Sequence, residues 1–350
     1  MTRPIALIAG ATGLIGRRLA AHLKQRGDWE VIGLCRRPAG GAGTGYIGVD
    51  LCDPGDCRAK LAALGNATHI FYTARYDHPE GVAESDEINA NMLRNLVAAV
   101  EPVAAGLSHV HVVHGTKYYG HQLGPIAVPA REDGPRAPGA NFYFAQEDYL
   151  REHQRGKRWT YSTSRPHTFC DPGWNEPRSI ALLVAVYAAI RRELGLALVY
   201  PGTAKSFAVA TQFTALPLLA RAITWMATEP RCANQAYNVV NGDAPRWSDL
   251  WPGFAAYFGV RAGAPQPTQL ADYMCDKDRV WQDVVRKHGL RQTALQSLVL
   301  WPYASYVFKP EWDIFSDMSK ARADGFVEAI DSEKMFLESF DFLRNEKIIP

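Results

Sequence analysis

Two residues of this 350-residue chain have side chains suited to acting together on a carbonyl group, Tyr143 and Lys117. Tyr143 lies near the start of a predicted helix at 141–150, and Lys117 follows a predicted strand at 109–114. A tyrosine hydroxyl donates a hydrogen bond to a carbonyl oxygen, and a nearby ammonium group lowers the tyrosine pKa. An ordinary helix-start aromatic residue and a solvated lysine after a strand are the structural alternatives.

The two residues lie on different predicted elements, although a lysine one helical turn after Tyr143 would reach the same site. Glu147 stands at that position instead. A carboxylate cannot supply the positive charge, and it would raise the pKa of Tyr143 if it pointed inward. Lys117 is the alternative cation, because strand ends and the helices that follow them line one crevice in an open α/β sheet.

The chain begins with a pattern typical of nucleotide binding. A short apolar strand at 5–9 leads directly into a glycine turn, Gly10-Ala11-Thr12-Gly13-Leu14-Ile15-Gly16, and apolar residues then recur at helical spacing. The glycines let the backbone approach a pyrophosphate, while the helix N-terminus presents free N–H groups and the positive end of its dipole. A tight structural turn is the alternative. The predicted phosphate cradle consists of Gly10, Thr12, Gly13, Leu14, Ile15 and Gly16.

Two arginines indicate which dinucleotide this cradle binds. Arg36 and Arg37 directly follow the second predicted strand, at 31–35. An acid at this point would bind the ribose 2′-hydroxyl, whereas an arginine accommodates a 2′-phosphate. Since no acid stands there, NADPH/NADP⁺ is preferred over the NAD pair, and two solvated surface arginines are the alternative. Further cofactor contacts are predicted at strand ends, from Thr73, Pro166 and Phe169.

Composition and charge argue against several other functions. The formal net charge of +2, from 38 basic and 36 acidic residues, is too balanced to indicate binding to nucleic acid or to a membrane surface. The six cysteines are scattered and the ten histidines show no metal-ligand spacing. We therefore expect reduced thiols, a cytoplasmic location and no metal. The sequence also has no Gly-x-Ser-x-Gly elbow, no apparent signal peptide and no membrane-spanning apolar stretch.

The order of predicted elements is typical of an α/β fold, a Rossmann-type doubly wound parallel sheet. We assign residues 1–165 to an NADP-binding Rossmann domain, to which about 205–242 return, and 166–204 with 243–350 to a smaller, mostly helical substrate-binding portion. The aromatic residues of that portion suit an apolar pocket. Predicted substrate contacts are Arg75, in the strand-end segment Arg75-Tyr76-Asp77, together with Thr168, Trp312, Ile314 and Phe315.

The motifs resemble those of one family along nearly the whole chain. The spacing Gly-x-x-Gly-x-x-Gly resembles the extended short-chain dehydrogenase/reductases. Four segments resemble an atypical group among them, the progesterone 5β-reductase/iridoid synthase-like enone reductases. These segments are Cys35-Arg36-Arg37, Gly115-Thr116-Lys117-Tyr118-Tyr119-Gly120, Asn141-Phe142-Tyr143-Phe144-Ala145-Gln146-Glu147-Asp148 and Asn238-Val239-Val240-Asn241-Gly242-Asp243.

The resemblance implies hydride transfer from NADPH to the β-carbon of an α,β-unsaturated carbonyl substrate. Tyr143 would donate a hydrogen bond to the carbonyl oxygen as the enolate forms, and Lys117 would orient and acidify Tyr143. The resemblance also implies a homodimer and adenine contacts from Asp50 and Leu51. A loop aspartate that caps the next turn is the alternative for Asp50.

Three positions depart from the family pattern: Arg75 where relatives often carry Trp, Thr168 where they often carry Asn, and His114 where they usually carry Thr. They leave the substrate open, and the guanidinium of Arg75 suggests a more polar or anionic substrate than a steroid. Two other functions remain open. One is NADP-dependent 1,2-reduction of a carbonyl, or the reverse oxidation. The other is a non-catalytic NADP(H)-binding sensor, a class that lacks the Tyr and Lys.

Overall fold

A parallel sheet forms the centre of the computed structural model, which describes residues 3–38, 45–76, 78, 84–170, 173 and 176–350. The strands in chain order are β1 (Ile5–Ala9), β2 (Glu30–Cys35), β3 (Tyr46–Gly48), β4 (His69–Tyr72), β5 (His109–Val113), β6 (Thr160–Pro166), β7 (Thr168–Cys170), β8 (Leu198–Val199), β9 (Phe213–Ala215), β10 (Gln235–Val239) and β11 (Ala262–Gly263). Seven of them pair in the order β3-β2-β1-β4-β5-β6-β10. The order reverses between β1 and β4, which opens a crevice at their carboxyl ends.

Helices cover both faces of this sheet. They are α1 (Leu14–Arg26), α2 (Pro54–Leu61), α3 (Asp86–Val100), α4 (Phe142–His153), α5 (Ile180–Glu193), α6 (Ala204–Ala208), α7 (Leu216–Thr228), α8 (Trp247–Tyr257), α9 (Leu270–Met274), α10 (Asp278–His288), α11 (Leu295–Leu298), α12 (Pro302–Phe308), α13 (Ser319–Ala323) and α14 (Ser332–Asn345). One face packs against α1 and α7, and the other against α2, α3 and α4. The predicted Rossmann-type doubly wound sheet is confirmed.

Strand β1 is apolar and buried at every position. Ala6 and Ile8 belong to the core beneath α1 and α7, whereas Leu7 and Ala9 belong to the core beneath α2 and α3. Successive side chains of a strand point to opposite faces, so a strand covered on both faces is apolar at every position.

The C-terminal half differs from the prediction at residues 200–208. The sequence pattern predicts a loop or short edge strand at 200–208, but α6 begins there at Ala204. The Thr203 hydroxyl accepts a hydrogen bond from the Ser206 main-chain N–H at 3.0 Å, which satisfies one free donor of this first turn. In the described ranges, no helix has the length and apolarity needed to cross a bilayer.

A ladder of polar side chains crosses strands β5 and β6 inside the protein. His109 contacts the hydroxyls of Thr160 and Ser162, each at 2.8 Å. His111 contacts the hydroxyls of Ser162 and Ser164, at 2.8 and 3.1 Å. Burial lowers the pKa of His111 to about 3 and that of His109 well below its usual value, so both rings are neutral at pH 7.

We therefore expect acid to destabilise the fold through these rings. An unfolded histidine binds a proton below about pH 6.5, whereas folded His111 stays neutral down to about pH 3. Stability present above pH 6.5 is thus lost as the pH falls, by about 2–3 kcal/mol per such ring between pH 7 and 4.5. Denaturant titrations at these two pH values should show a smaller loss for His111→Gln. Exposed His288→Gln should behave as the wild type, and equal losses in all three proteins would contradict the expectation.

Candidate active site

A cavity of about 830 Å³ opens at the carboxyl ends of β1, β4, β5 and β6. Most of the predicted site residues line it. They are Gly10, Thr12, Gly13, Leu14, Ile15, Arg36, Asp50, Leu51, Thr73, Arg75, Lys117, Tyr143, Pro166, Thr168 and Phe169. The predicted residues that do not line it are Gly16, Arg37, Trp312, Ile314 and Phe315. Asp77 lies outside the described residues.

The glycine turn forms one end of this cavity, and its close packing excludes side chains. Gly10 has φ +79°, and a Cβ added to it would lie 2.9 Å from the Ala74 Cα. A Cβ on Gly16 would overlap the Gly10 carbonyl oxygen, so only glycine fits where the first turn of α1 packs against the glycine turn. Gly13 precedes α1 with no side-chain cap, which leaves the first N–H groups of the helix available. These features fit the pyrophosphate of a dinucleotide.

The side chains beyond the turn differ in how free they are to contact a cofactor. Arg36 and Arg37 are both exposed, and of the two Arg36 lines the cavity after β2. The Asp50 carboxylate accepts the Cys52 main-chain N–H at 2.9 Å, so it caps a turn as the alternative interpretation proposed. The Thr73 hydroxyl donates to the Ala9 carbonyl at 2.7 Å and ties β4 to β1. Arg36, unlike Asp50 and Thr73, makes no side-chain hydrogen bond with the described residues while lining the cavity.

Asn141 connects the two elements that carry Tyr143 and Lys117. Its side-chain oxygen accepts the Tyr143 main-chain N–H at 3.0 Å and thereby caps α4. Its side-chain nitrogen donates to the Lys117 carbonyl at 3.1 Å, in a 3₁₀ turn at Thr116–Tyr119. One amide therefore fixes the start of α4 against the segment that follows β5, and the sequence interpretation missed this positioning role.

The Tyr143 ring lies between a glycine and a histidine. A Cβ on Gly115 would lie 3.3 Å from the Tyr143 hydroxyl, and the His114 ring centroid lies 4.8 Å from that of Tyr143. Burial raises the pKa of Tyr143, and the Glu84 carboxylate raises it further. The sequence analysis expected Lys117 to lower the pKa of Tyr143, but in the structure this pKa is raised. Tyr143 is a protonated hydroxyl at neutral pH, and within the described residues no group hydrogen-bonds to it.

Glu84 is a residue that no sequence pattern pointed to. Its carboxylate lies 2.7 Å from the Arg75 Nε and 3.8 Å from the Lys117 Nζ. Of these two cations, Arg75 is the one whose charge lowers the pKa of Tyr143, and it shares the Glu84 carboxylate with Lys117. This pairing also neutralises Arg75, which weakens the sequence-based case for an anionic substrate.

Glu147 points away from Tyr143 into a buried cluster of charges. Its carboxylate accepts hydrogen bonds from the Tyr118 hydroxyl at 2.6 Å, from Arg136 at 3.0 Å and from Arg165 at 3.3 Å. Arg165 is only 1% exposed and Glu147 only 4%. The acid one turn after Tyr143 therefore balances a buried guanidinium, and the potential rise in the Tyr143 pKa from an inward Glu147 does not arise.

The substrate side of the cavity is polar as well as aromatic. Tyr303 and Tyr306 of α12 line it, and so do two buried histidines that the sequence interpretation did not select, His121 and His167. His167 directly follows β6, between the predicted contacts Pro166 and Thr168, so its position at a strand end could have indicated it, whereas no comparable signal marks His121. In the part of the chain that the structure describes, no group of three or more His, Cys, Asp or Glu residues is placed to hold a metal ion.

A doubly wound sheet with this glycine turn and strand-end cavity is typical of the extended short-chain dehydrogenase/reductases. Residues 51–350 match the PRISE-like Rossmann-fold domain. The chain belongs to this family, which confirms the resemblance found in its motifs.

Curated relatives and solved structures agree with this placement. The chain is 32% identical to a 3-oxo-Delta(4,5)-steroid 5-beta-reductase of Arabidopsis thaliana, over 99% of this chain and 93% of the relative. It is also 32% identical to an (S)-8-oxocitronellyl enol synthase of Catharanthus roseus, with the same coverage. The structure of RMD from Pseudomonas aeruginosa, complexed with NADPH, superposes with a TM-score of 0.66 at 15% identity, over 98% of both chains. This likeness shows the fold.

The buried cluster predicts the effect of returning the lysine to its usual position. Glu147→Lys should lower the free energy of unfolding by about 3–5 kcal/mol, because it removes a buried anion and leaves Arg165 facing another cation. Thermal and denaturant unfolding measure this change. Glu338→Lys, at an exposed position on α14 (66% exposed side chain), should change stability by less than about 1 kcal/mol. A fully stable Glu147→Lys protein would contradict the role given to this cluster.

Proposed function

We propose that the protein reduces the C=C bond of an α,β-unsaturated carbonyl with NADPH. The observation that carries this proposal is the Tyr143 hydroxyl, protonated and without a hydrogen-bond partner among the described residues, in the cavity that also contains the glycine turn. The names of the relatives support it, since one is a reductase of 3-oxo-Delta(4,5)-steroids and another forms an enol.

Residues on the β1 and β2 side would hold the cofactor. The N–H groups at the start of α1 would bind its pyrophosphate, and Arg36 would bind the 2′-phosphate. When bound, NADPH supplies a hydride to the substrate. Solved proteins of this fold hold either NAD or NADPH, so the preference for NADPH rests on Arg36 and on the absence of an acid after β2.

Tyr143 would stabilise the negative charge that develops on the carbonyl oxygen. A hydroxyl with a raised pKa remains a donor, and a donor aimed at a forming enolate oxygen lowers the barrier by roughly 3–4 kcal/mol. The raised pKa also disfavours alcohol oxidation, because that reaction needs a tyrosinate base. Lys117, held by Glu84, adds a positive charge on the same side of the cavity. The homodimer and the cytoplasmic location implied by the resemblance stay predictions.

The test combines purified protein, NADPH and a panel of small enones, with 2-cyclohexen-1-one among them. Loss of NADPH absorbance with a saturated ketone as product supports the proposal, whereas an allylic alcohol indicates 1,2-reduction. Tyr143→Phe should lower kcat/KM about 100- to 1000-fold, as expected for loss of one oxyanion donor. Tyr257→Phe is the matched control, since that hydroxyl bonds to Asp341 on the surface. Absence of C=C reduction across the panel, or full activity of Tyr143→Phe, would refute the assignment.

The cofactor preference has a separate test. Arg36→Ala should raise the KM for NADPH about 10- to 100-fold, because a charged hydrogen bond to the 2′-phosphate is lost. The KM for NADH should change little, as NADH has no such phosphate. Arg37→Ala should have a smaller effect, since Arg37 does not line the cavity. Steady-state kinetics with both cofactors measure these values, and equal effects of Arg36→Ala on both would rule out a contact between Arg36 and the 2′-phosphate.

A further inference from the structure

The Tyr143 side chain is held through its ring, since its hydroxyl has no hydrogen-bond partner among the described residues. The ring centroid lies 4.4 Å from that of Phe142 and 4.8 Å from that of His114. Phe142 precedes Tyr143 on α4 and belongs to the same helix. His114 directly follows β5, so it is the aromatic contact that relates the Tyr143 ring to the sheet.

His114 is itself fixed and uncharged. Its main-chain N–H donates to the Ser164 carbonyl of β6 at 2.8 Å, and the residue is only 2% exposed. Its ring nitrogens are buried with the Gln146 side chain beside them, so neither is offered to a ligand. Burial lowers the pKa of this ring well below its usual value, and neighbouring guanidinium groups lower it further. The ring therefore acts on Tyr143 as a neutral aromatic surface.

A third ring connects His114 to the buried charge cluster. The Tyr118 and His114 ring centroids lie 6.3 Å apart, with their planes 21° from parallel. The Arg165 Cζ lies 3.5 Å from the Tyr118 centroid, and the Tyr118 hydroxyl donates to Glu147 at 2.6 Å. A guanidinium over a ring is attracted to its π electrons. A ring held by both interactions has little freedom to move, so Tyr118 is a rigid neighbour for the His114 ring.

We propose that His114 is a positioning residue, whose ring holds the Tyr143 ring in the orientation that presents its hydroxyl to the substrate carbonyl. This inference rests on the proposed enone reduction and adds a residue to it, at one of the positions that depart from the family pattern. The contact acts on the transition state, because a hydrogen bond to the carbonyl oxygen strengthens as negative charge develops there.

The experiment separates the ring of His114 from its nitrogens. With an enone that the wild type reduces, His114→Leu should lower kcat and kcat/KM equally, by about tenfold, since one aromatic contact that acts in the transition state is lost. His114→Gln keeps polar atoms without a ring and should match His114→Leu. His114→Phe keeps a neutral ring and should retain most of the activity. Thermal unfolding and the NADPH KM check that each variant is folded.

His153→Leu is the matched control. The His153 and Tyr149 rings, both on α4, stack with centroids 5.1 Å apart and planes 15° from parallel. Neither residue lines the cavity. The control therefore removes a histidine–tyrosine stack from the same helix without reaching the site, and its kcat should equal that of the wild type.

The order of the Tyr143 ring gives a readout that needs no turnover. In protein labelled with 3-fluorotyrosine, the Tyr143 signal in the ¹⁹F NMR spectrum is the one missing from Tyr143→Phe. A held ring keeps its fluorine on one side and gives separate signals for its two orientations, whereas a rapidly flipping ring gives one averaged signal. Separate signals are expected in the wild type and in His114→Phe, and one averaged signal in His114→Leu and His114→Gln.

The two readouts distinguish failure of the positioning role from failure of the proposed reaction. If no enone is reduced but the ¹⁹F spectra follow the expected pattern, enone reduction is refuted and the positioning role stands. If the wild type reduces enones and Tyr143→Phe does not, wild-type kcat in both His114→Leu and His114→Gln overturns the positioning role alone. A loss in His114→Phe as large as that in His114→Leu also overturns it, because the ring would then not be the part that matters.

Discussion

A buried guanidinium needs an anion within reach, and this requirement decides how the site is built. Arg165 lies on β6 with almost no exposure, and Glu147 on α4 supplies the anion. Arg136 and Tyr118 complete the hydrogen bonds of the same carboxylate. A lysine at position 147 would add a cation beside two guanidinium groups where water cannot screen them. An anion therefore occupies the position one helical turn after Tyr143, and Lys117, on another element, lines the same cavity as Tyr143.

Tyr143 and Lys117 lie on different elements, and the side-chain amide of Asn141 links these two elements. Tyr143 and Lys117 would otherwise depend on separate packing of a helix and a 3₁₀ turn. Asn141 accepts from the main chain of one and donates to the main chain of the other, so both segments are fixed by hydrogen bonds to the same side chain. Such supporting contacts set the geometry of the groups that act on a substrate.

The cavity combines a side suited to a charged cofactor with a side suited to an uncharged substrate. Helix N–H groups and Arg36 face the first. On the second, Arg75 is neutralised by Glu84, and burial keeps the histidines neutral. The local sequence at Arg75 suggested an anionic substrate because its partner lies outside that segment. The net charge of a site depends on which charged side chains form ion pairs, and the packing of separate elements decides those pairs.

The sequence by itself determined the features that depend on local spacing: the apolar strands, the glycine turn and the missing Tyr-x-x-x-Lys pair. Each follows from backbone geometry over a few residues, and the fold class and family they indicated are confirmed. Tertiary structure alone decided the rest. It turned Glu147 towards Arg165, paired Glu84 with Arg75 and Lys117, and placed His121 beside His167. These contacts join side chains from separate elements, and their directions follow from how helices and loops pack on the sheet.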